Sequence, residues 1–220
     1  MTIKDVLRPL PGTRRVSLLR QQLAFGGSAQ YWERTYARGG TSGGGSYGAL
    51  ARAKAHVVNE FVRRNDIRSV TEFGCGDGHQ LSLACYPRYV GLDVSPSAID
   101  LCARQFAADT AKSFFLYDGA RFIDRAGLFA ADLALSMDVL YHLVEDHVYQ
   151  TYLRHLFAAG QRYVLIYATN RELTGTAAHV RHRYFTPWVE ENCPQWRLAW
   201  IGLGPNRGAG RADFFAYQRC

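Results

Sequence analysis

Val70-Thr71-Glu72-Phe73-Gly74-Cys75-Gly76-Asp77-Gly78 is a short apolar run that ends in a glycine-rich turn and leads into a helical pattern. Glycine is required where the backbone takes a positive φ or must come close to a ligand, and the amides at a following helix start are free to donate. The glycines fall at G-x-G-x-G, one residue short of the G-x-G-x-x-G that cradles a pyrophosphate. Two acids, Glu72 and Asp77, flank the turn. Carboxylates repel a pyrophosphate but attract a ligand that carries an ammonium and a sulfonium. The turn therefore points away from a dinucleotide.

Downstream of the turn, short apolar runs alternate with helical patterns. Strands are expected over Ser69–Phe73, Tyr89–Leu92, Ser113–Tyr117, Asp132–Ser136 and Tyr163–Tyr167, with helices near Gln80–Cys85, Pro96–Phe106, Arg121–Ala126 and Glu145–Ala158. Ser95 before Pro96 reads as a capped helix start. Such alternation predicts an α/β, doubly wound, mostly parallel sheet. Trp196–Gly202 and Asp213–Gln218 are β-like runs joined by a turn-rich link without a helix, Leu203–Gly210. They predict a C-terminal antiparallel hairpin at the sheet edge, which brings the sheet to seven strands.

Asp93 closes the second strand, 19 residues after Gly74, the distance expected of an acid that binds ribose hydroxyls. Asp118 closes the third strand in the same way. Glu72, Asp93 and Asp118 thus end three successive strands on the carboxyl edge, where open α/β sheets hold ligands. Each acid alone also reads as a helix cap or a turn residue. Their repetition is what points to one site.

Upstream, Gly39–Gly48 contains six glycines in ten positions. A flexible linker is one reading, but only 38 residues precede it, fewer than the roughly 40 that an independent core needs. A mobile loop over a site is the preferred reading. Residues 15–38, with Leu18, Leu19, Leu23, Tyr31, Trp32 and Tyr36, are expected to form helical pieces that cover something with aromatic surface. The chain divides into an N-terminal helical cap with a glycine-rich lid over 1–48 and the main domain over 49–220, one structural unit overall. Leu50, Ala53, Val57, Val58, Phe61 and Val62 recur at helical spacing, and Lys54 and His56 on that helix either anchor an anionic group or, the preferred reading, lie on its solvated face.

With 220 residues, 48% of them apolar, the chain can bury a full core without disulfides or metals. Five cysteines, odd in number and without a C-x-x-C pair, read as reduced thiols rather than a disulfide framework or a zinc site. The apolar stretches fall far short of the roughly 18 residues that cross a bilayer, and the first twenty residues lack an apolar signal core, so a cytoplasmic protein is expected. Net charge is +7, unevenly spread: 12 basic and 4 acidic groups over 1–70, 6 and 11 over 71–160, and 8 and 4 over 161–220. An acidic middle between basic flanks suits a nucleic-acid binder, or an enzyme with a cationic ligand at its centre and an anionic substrate at its edge.

From Glu72–Gly78, Asp93, Asp118, the Asp132–Met137 strand and the terminal hairpin, the sequence resembles the class I S-adenosylmethionine-dependent methyltransferases over roughly residues 50–220. The resemblance implies a Rossmann-like fold and S-adenosyl-L-methionine as cofactor, with S-adenosyl-L-homocysteine as product. It implies that Gly74, Gly76 and Gly78 pass under the methionine portion, that Asp93 holds the ribose and that Asp118 faces the adenine amine, with Glu72 and Asp77 completing the cofactor site. The segment Tyr31–Gly48 looks like the cap of bacterial members that modify small molecules or glycans.

The fourth strand leads into Ser136-Met137-Asp138-Val139-Leu140-Tyr141-His142-Leu143, placed by such a sheet beside methyl donor and acceptor. Asp138 is assigned to the cofactor, and Tyr141 and His142 to catalysis. Histidine, with an ordinary pKa of about 6.5, is the default base if a hydroxyl must lose its proton; packing against the cofactor is the competing role. His179, Arg181, His182 and Arg183 form a basic cluster that could receive a phosphate or carboxylate, and Tyr47 in the glycine-rich segment is a further substrate contact. His179 and His182 have metal-ligand spacing but no third ligand nearby, so no metal is expected. The expected reaction is methyl transfer to an oxygen, less readily a nitrogen, of a small molecule or glycan. A nucleic-acid methyltransferase, a noncatalytic cofactor-binding module and a dehydrogenase are the alternatives.

Overall fold

A computed structural model of the chain describes residues 25–173, 177–206 and 211–220. The expectations for Leu18, Leu19, Leu23 and the basic N-terminal stretch lie outside the described residues, as does part of the link before the last strand. Among the described residues seven strands form one sheet: β1 (Val70–Phe73), β2 (Tyr89–Asp93), β3 (Lys112–Leu116), β4 (Ala131–Met137), β5 (Gly160–Ala168), β6 (Trp196–Gly202) and β7 (Asp213–Arg219). Their order is β3-β2-β1-β4-β5-β7-β6. The first five run parallel, while β7 pairs antiparallel with both β5 and β6. The predicted hairpin is present, with its second strand inserted next to β5.

Among the described residues five α-helices accompany the sheet: α1 (Ser28–Ala37), α2 (Gly48–Arg64), α3 (Pro96–Gln105), α4 (Asp146–Ala159) and α5 (Thr186–Asn192). Two apolar layers flank the sheet. Phe73, Ala134 and Val164 face α4 residues Tyr152, Leu153 and Leu156, and Val70, Leu133 and Leu165 belong with Val58 and Val62 of α2. β1, buried throughout, alternates between the two layers, as a strand covered on both faces must. Helix α3 starts as the sequence suggests: Ser95 Oγ accepts from Ala98 N at 3.0 Å, and Pro96 occupies the first turn.

Two expected helices are absent. Gln80–Cys85 holds a single 3₁₀ turn, Leu81–Leu83, because Asn59 of α2 takes the Cys85 amide and the Leu83 carbonyl, and Pro87 stands close behind. Arg121–Ala126 is irregular chain. Asp124 there accepts from the Leu128 and Phe129 amides at 2.8 Å each, and Asp118 accepts from Ala120 N at 3.0 Å, so the carboxylates tie the chain on both sides of the segment into local turns that compete with a helix.

Lys54 overturns the solvated-face assignment: its side chain is 1% exposed, while His56 is exposed as expected. Helix α2 buries Ala51, Lys54, Ala55, Val58 and Val62, a stripe at the spacing of one helix face. No helix among the described residues is long and apolar enough to cross a membrane.

Candidate active site

The strand order reverses direction between β1 and β4, and a crevice opens at the carboxyl ends of strands at such a point. A cavity of about 700 Å³ lies there, within the ~300–1,000 Å³ range of small-molecule sites. Its lining takes Glu72, Gly74, Cys75 and Gly76 from the β1 end, Asp93 and Val94 from β2, Tyr117 and Asp118 after β3, and Met137, Asp138 and Val139 from β4. Trp32 and Tyr36 of α1 and Ser42 and Ser46 of the glycine-rich segment close the top.

Gly74 and Gly76 have φ of +85° and +58°, a region L side chains rarely adopt. At Gly76 space is also short, because a Cβ would stand 2.4 Å from Ser42 Oγ and 2.9 Å from Tyr36 Oη. The turn is tied to β2: Gly76 N donates to Asp93 Oδ2 at 2.9 Å, and Ser95 N donates to Oδ1 at 2.9 Å. Burial raises the Asp93 carboxyl to about 6 against these bonds. Glu72 is pushed up to about 7, also by burial, with Tyr89 Oη donating to it at 2.6 Å and the Lys54 charge opposing the rise.

Asp118 lines the same cavity, but its carboxylate is held by Arg121 at 2.5 Å. Asp77 and Gly78 lie outside the lining. Asp77 Oδ2 instead accepts from Ser42 N and Tyr47 Oη, each at 2.8 Å, and Asp77 N donates to Ser42 Oγ at 3.1 Å. The glycine-rich segment is thereby clasped onto the β1 turn. Gly39, Gly43 and Gly48 along it have φ of +77°, +85° and +61° with open space around them, so glycine serves conformation there.

Helix α1 is fastened at two points. Its first residue, Ser28, donates from N and Oγ to Glu145 at 2.8 and 2.6 Å. Glu33 accepts from Ser95 Oγ at 2.6 Å and from Ser97 N and Oγ at 3.1 and 2.8 Å, at the start of α3.

On the β4 side, Asp138 has a positive φ of 61°. Its carboxylate pairs with Lys54 and accepts from Tyr141 Oη at 2.7 Å. Lys54 also lies 5.3 Å from the centre of the Tyr167 ring. His142 lines the cavity, with its ring edge-on to Trp32 at 4.8 Å. Its Nδ1 lies 3.2 Å from the His179 carbonyl, which can only accept, so the proton sits on Nδ1 and the lone pair on Nε2. Burial pulls this imidazole down to about 4, so it is neutral at pH 7.

Tyr141, Tyr47, His179, Arg181 and His182 do not line the cavity. His179 stacks on Tyr31 at 4.1 Å, and His182 Nδ1 meets Thr169 Oγ1 at 2.6 Å. Arg181 pairs with Asp146 at 2.9 Å and donates to the Val144 carbonyl. The basic cluster therefore staples the segment after β5 to the start of α4. Glu145 and Gln80 are the lining residues that sequence reasoning passed over, and Lys54, which it placed on a solvated face, stands behind the site. Gln80 lines the cavity with its Oε1 buried and without a partner.

Strand order, glycine turn and crevice together define the fold of the S-adenosylmethionine-dependent methyltransferases. The N-methyltransferase NodS from Bradyrhizobium japonicum, solved with S-adenosyl-L-homocysteine, superposes with a TM-score of 0.68 at 15% identity, covering 88% of this chain and 98% of that one. Magnesium protoporphyrin IX methyltransferase from Synechocystis gives 0.62 at 16% identity, covering 86% and 93%. The methyltransferase domain of bacterial CtHen1 gives 0.61 at 18%, covering 76% and 98%. No protein-family model and no curated protein matches the chain.

Proposed function

We propose that this chain is an S-adenosylmethionine-dependent methyltransferase acting on a small molecule. The observation that carries the reading is that Glu72, Asp93 and Asp118, from three neighbouring strand ends, line one cavity with the positive-φ glycines Gly74 and Gly76. The residues fit a cationic amino-acid nucleoside. Burial pushes Glu72 up to about 7 in spite of the Lys54 charge, and Gln80 Oε1 lacks a donor; an ammonium would favour the charged carboxylate and supply a donor. The Asp93 carboxylate is held by the backbone amides of Gly76 and Ser95, one on each oxygen, with Val94 N adding to them, and it has acceptor capacity left for a ribose hydroxyl.

When bound, the cofactor supplies a methyl group already activated on a sulfonium. The work left to the protein is alignment, water exclusion and removal of a proton. In this reading Trp32, Tyr36 and the segment clasped by Asp77 shut the cavity from above, with residues 39–48 serving as a lid. His142, neutral and with Nδ1 held by a carbonyl, offers Nε2 to the acceptor's proton. Calorimetry with S-adenosyl-L-homocysteine tests the reading: saturable binding that Asp93→Ala weakens supports it, and absence of binding sinks it. Transfer from methyl-labelled cofactor to fractionated metabolites then identifies the product.

A further inference from the structure

We propose that the methyl acceptor is an amine, carried into the cavity as a cation and held by the Asp138 carboxylate beside the indole of Trp32. The inference rests on the methyl-transfer reading and names the substrate class of that same site. It starts from charge. Among the described residues no lysine or arginine lines the cavity, whereas five carboxyl groups do: Glu72, Asp93, Asp118, Asp138 and Glu145. The first three sit at the strand ends assigned to the cofactor, and Glu145 is engaged by Ser28. Asp138, assigned to the cofactor from the sequence, is reassigned to the acceptor: it lines the cavity from β4, on the other side of β1 from the β2 and β3 ends.

Lys54 holds this carboxylate from behind. At 1% exposure it does not reach the lining, so it holds the Asp138 carboxylate in place without offering a cation to an anionic acceptor. One oxygen of Asp138 accepts from Lys54 and the other from Tyr141, and each retains a lone pair for a donor from the cavity. The strained φ of 61° at a non-glycine residue marks the position as one held for its side chain.

A second, independent feature points the same way. Trp32, Tyr36 and His142 line the same cavity as Asp138, the indole stacked on Tyr36 at 5.6 Å and met edge-on by His142 at 4.8 Å, so the cavity that holds the carboxylate is bordered by aromatic rings. Ring faces attract ammonium groups. The arginines that would have received a phosphate or carboxylate are spent elsewhere, on Asp146 and on the Leu143 and Val144 carbonyls. In the reaction the ammonium gives up one proton to Nε2 of His142, which passes it on to solvent, and the freed nitrogen lone pair bonds the methyl carbon, so that the nitrogen takes over the positive charge of the sulfonium. The carbon–sulfur bond breaks with its electrons on sulfur, leaving a methylated amine and a thioether.

The test uses the full chain saturated with S-adenosyl-L-homocysteine, whose binding is measured first; failure at that step overturns the methyltransferase reading itself. Calorimetric titration then compares phenethylamine with 3-phenylpropionate, probes with one phenethyl group and opposite charge. The amine is expected to bind about 10-fold or more tightly, and Asp138→Asn is expected to abolish the preference. Since Asp138→Asn also strands Lys54, Trp32→Leu provides a second variant, expected to weaken the amine alone. Equal responses, no response to either probe, or a preference for the carboxylate overturns the proposal. With methyl-labelled cofactor and a cell extract resolved by ion exchange, label is expected in the cationic pool; label confined to the neutral or anionic pools overturns it.

Discussion

Lys54 and Asp138 form an ion pair behind the cavity, the lysine side chain 1% exposed and the carboxylate 17%. Removing one partner from a buried pair leaves an uncompensated charge. Lys54→Met is therefore expected to cost about 3 kcal/mol of stability, and Lys54→Met with Asp138→Asn less than the sum of the single changes. Chemical denaturation of the four proteins in a double-mutant cycle measures this. Additive losses would show the two residues to be uncoupled.

Glu72, raised to about 7 by burial, must be ionised to receive a cation. A cationic ligand favours the charged form, so binding releases protons and affinity rises with pH between 6 and 8. Glu72→Gln should flatten that rise. Titrating S-adenosyl-L-homocysteine calorimetrically in buffers of different ionisation enthalpy reads both the affinity and the proton release; pH-independent affinity in the parent protein would remove Glu72 from the site.

His142 is pulled down to about 4 by burial, below its ordinary value near 6.5. The unfolded chain then binds more protons than the folded one between those values, so this group's contribution to stability is present above pH 6.5 and lost as the pH falls towards 4. The loss has an upper bound of about 3 kcal/mol. Glu72 and Asp93, both raised, act in the opposite sense. Denaturation midpoints of the parent and His142→Gln as a function of pH separate the terms: the variant should lose less stability on acidification. If His142 also takes the acceptor's proton, turnover should fall about 10²-fold or more in the variant, with cofactor affinity nearly unchanged.

The clasp joins the cavity to the turn: Ser42 lines the cavity, and Asp77, which holds it, lies outside the lining. Ser42→Ala and Asp77→Asn should speed both association and release of S-adenosyl-L-homocysteine, with a smaller change in affinity. Stopped-flow mixing followed by tryptophan fluorescence measures the rates; unchanged rates would mean that the ligand enters without moving residues 39–48.

Much of this architecture is local in origin and so was readable. The strand-turn pattern of Val70–Gly78, the Ser95-Pro96 helix start and the terminal hairpin depend on neighbours in sequence. The acids at strand ends follow from the topology those elements force. Contacts across the fold were not readable. Nothing near Arg121–Ala126 announces that Asp118 and Asp124 will take the amides on either side of it, at Ala120, Leu128 and Phe129, and nothing near Arg181 announces Asp146 as its partner. Lys54 is a different case, since Ala51, Ala55, Val58 and Val62 define a buried stripe at i, i+3, i+4 and i+7 that includes it. Its charge concealed what its spacing displayed.

Helix α1 is bolted to two loops on opposite sides of the strand reversal, by Ser28 to Glu145 and by Glu33 to Ser95 and Ser97. Any guest that wedges those loops apart must carry the helix with it or break one bolt. Events deep in the crevice are thereby transmitted to the molecular exterior, where a protease or an exchanging amide can register whether the chamber is full.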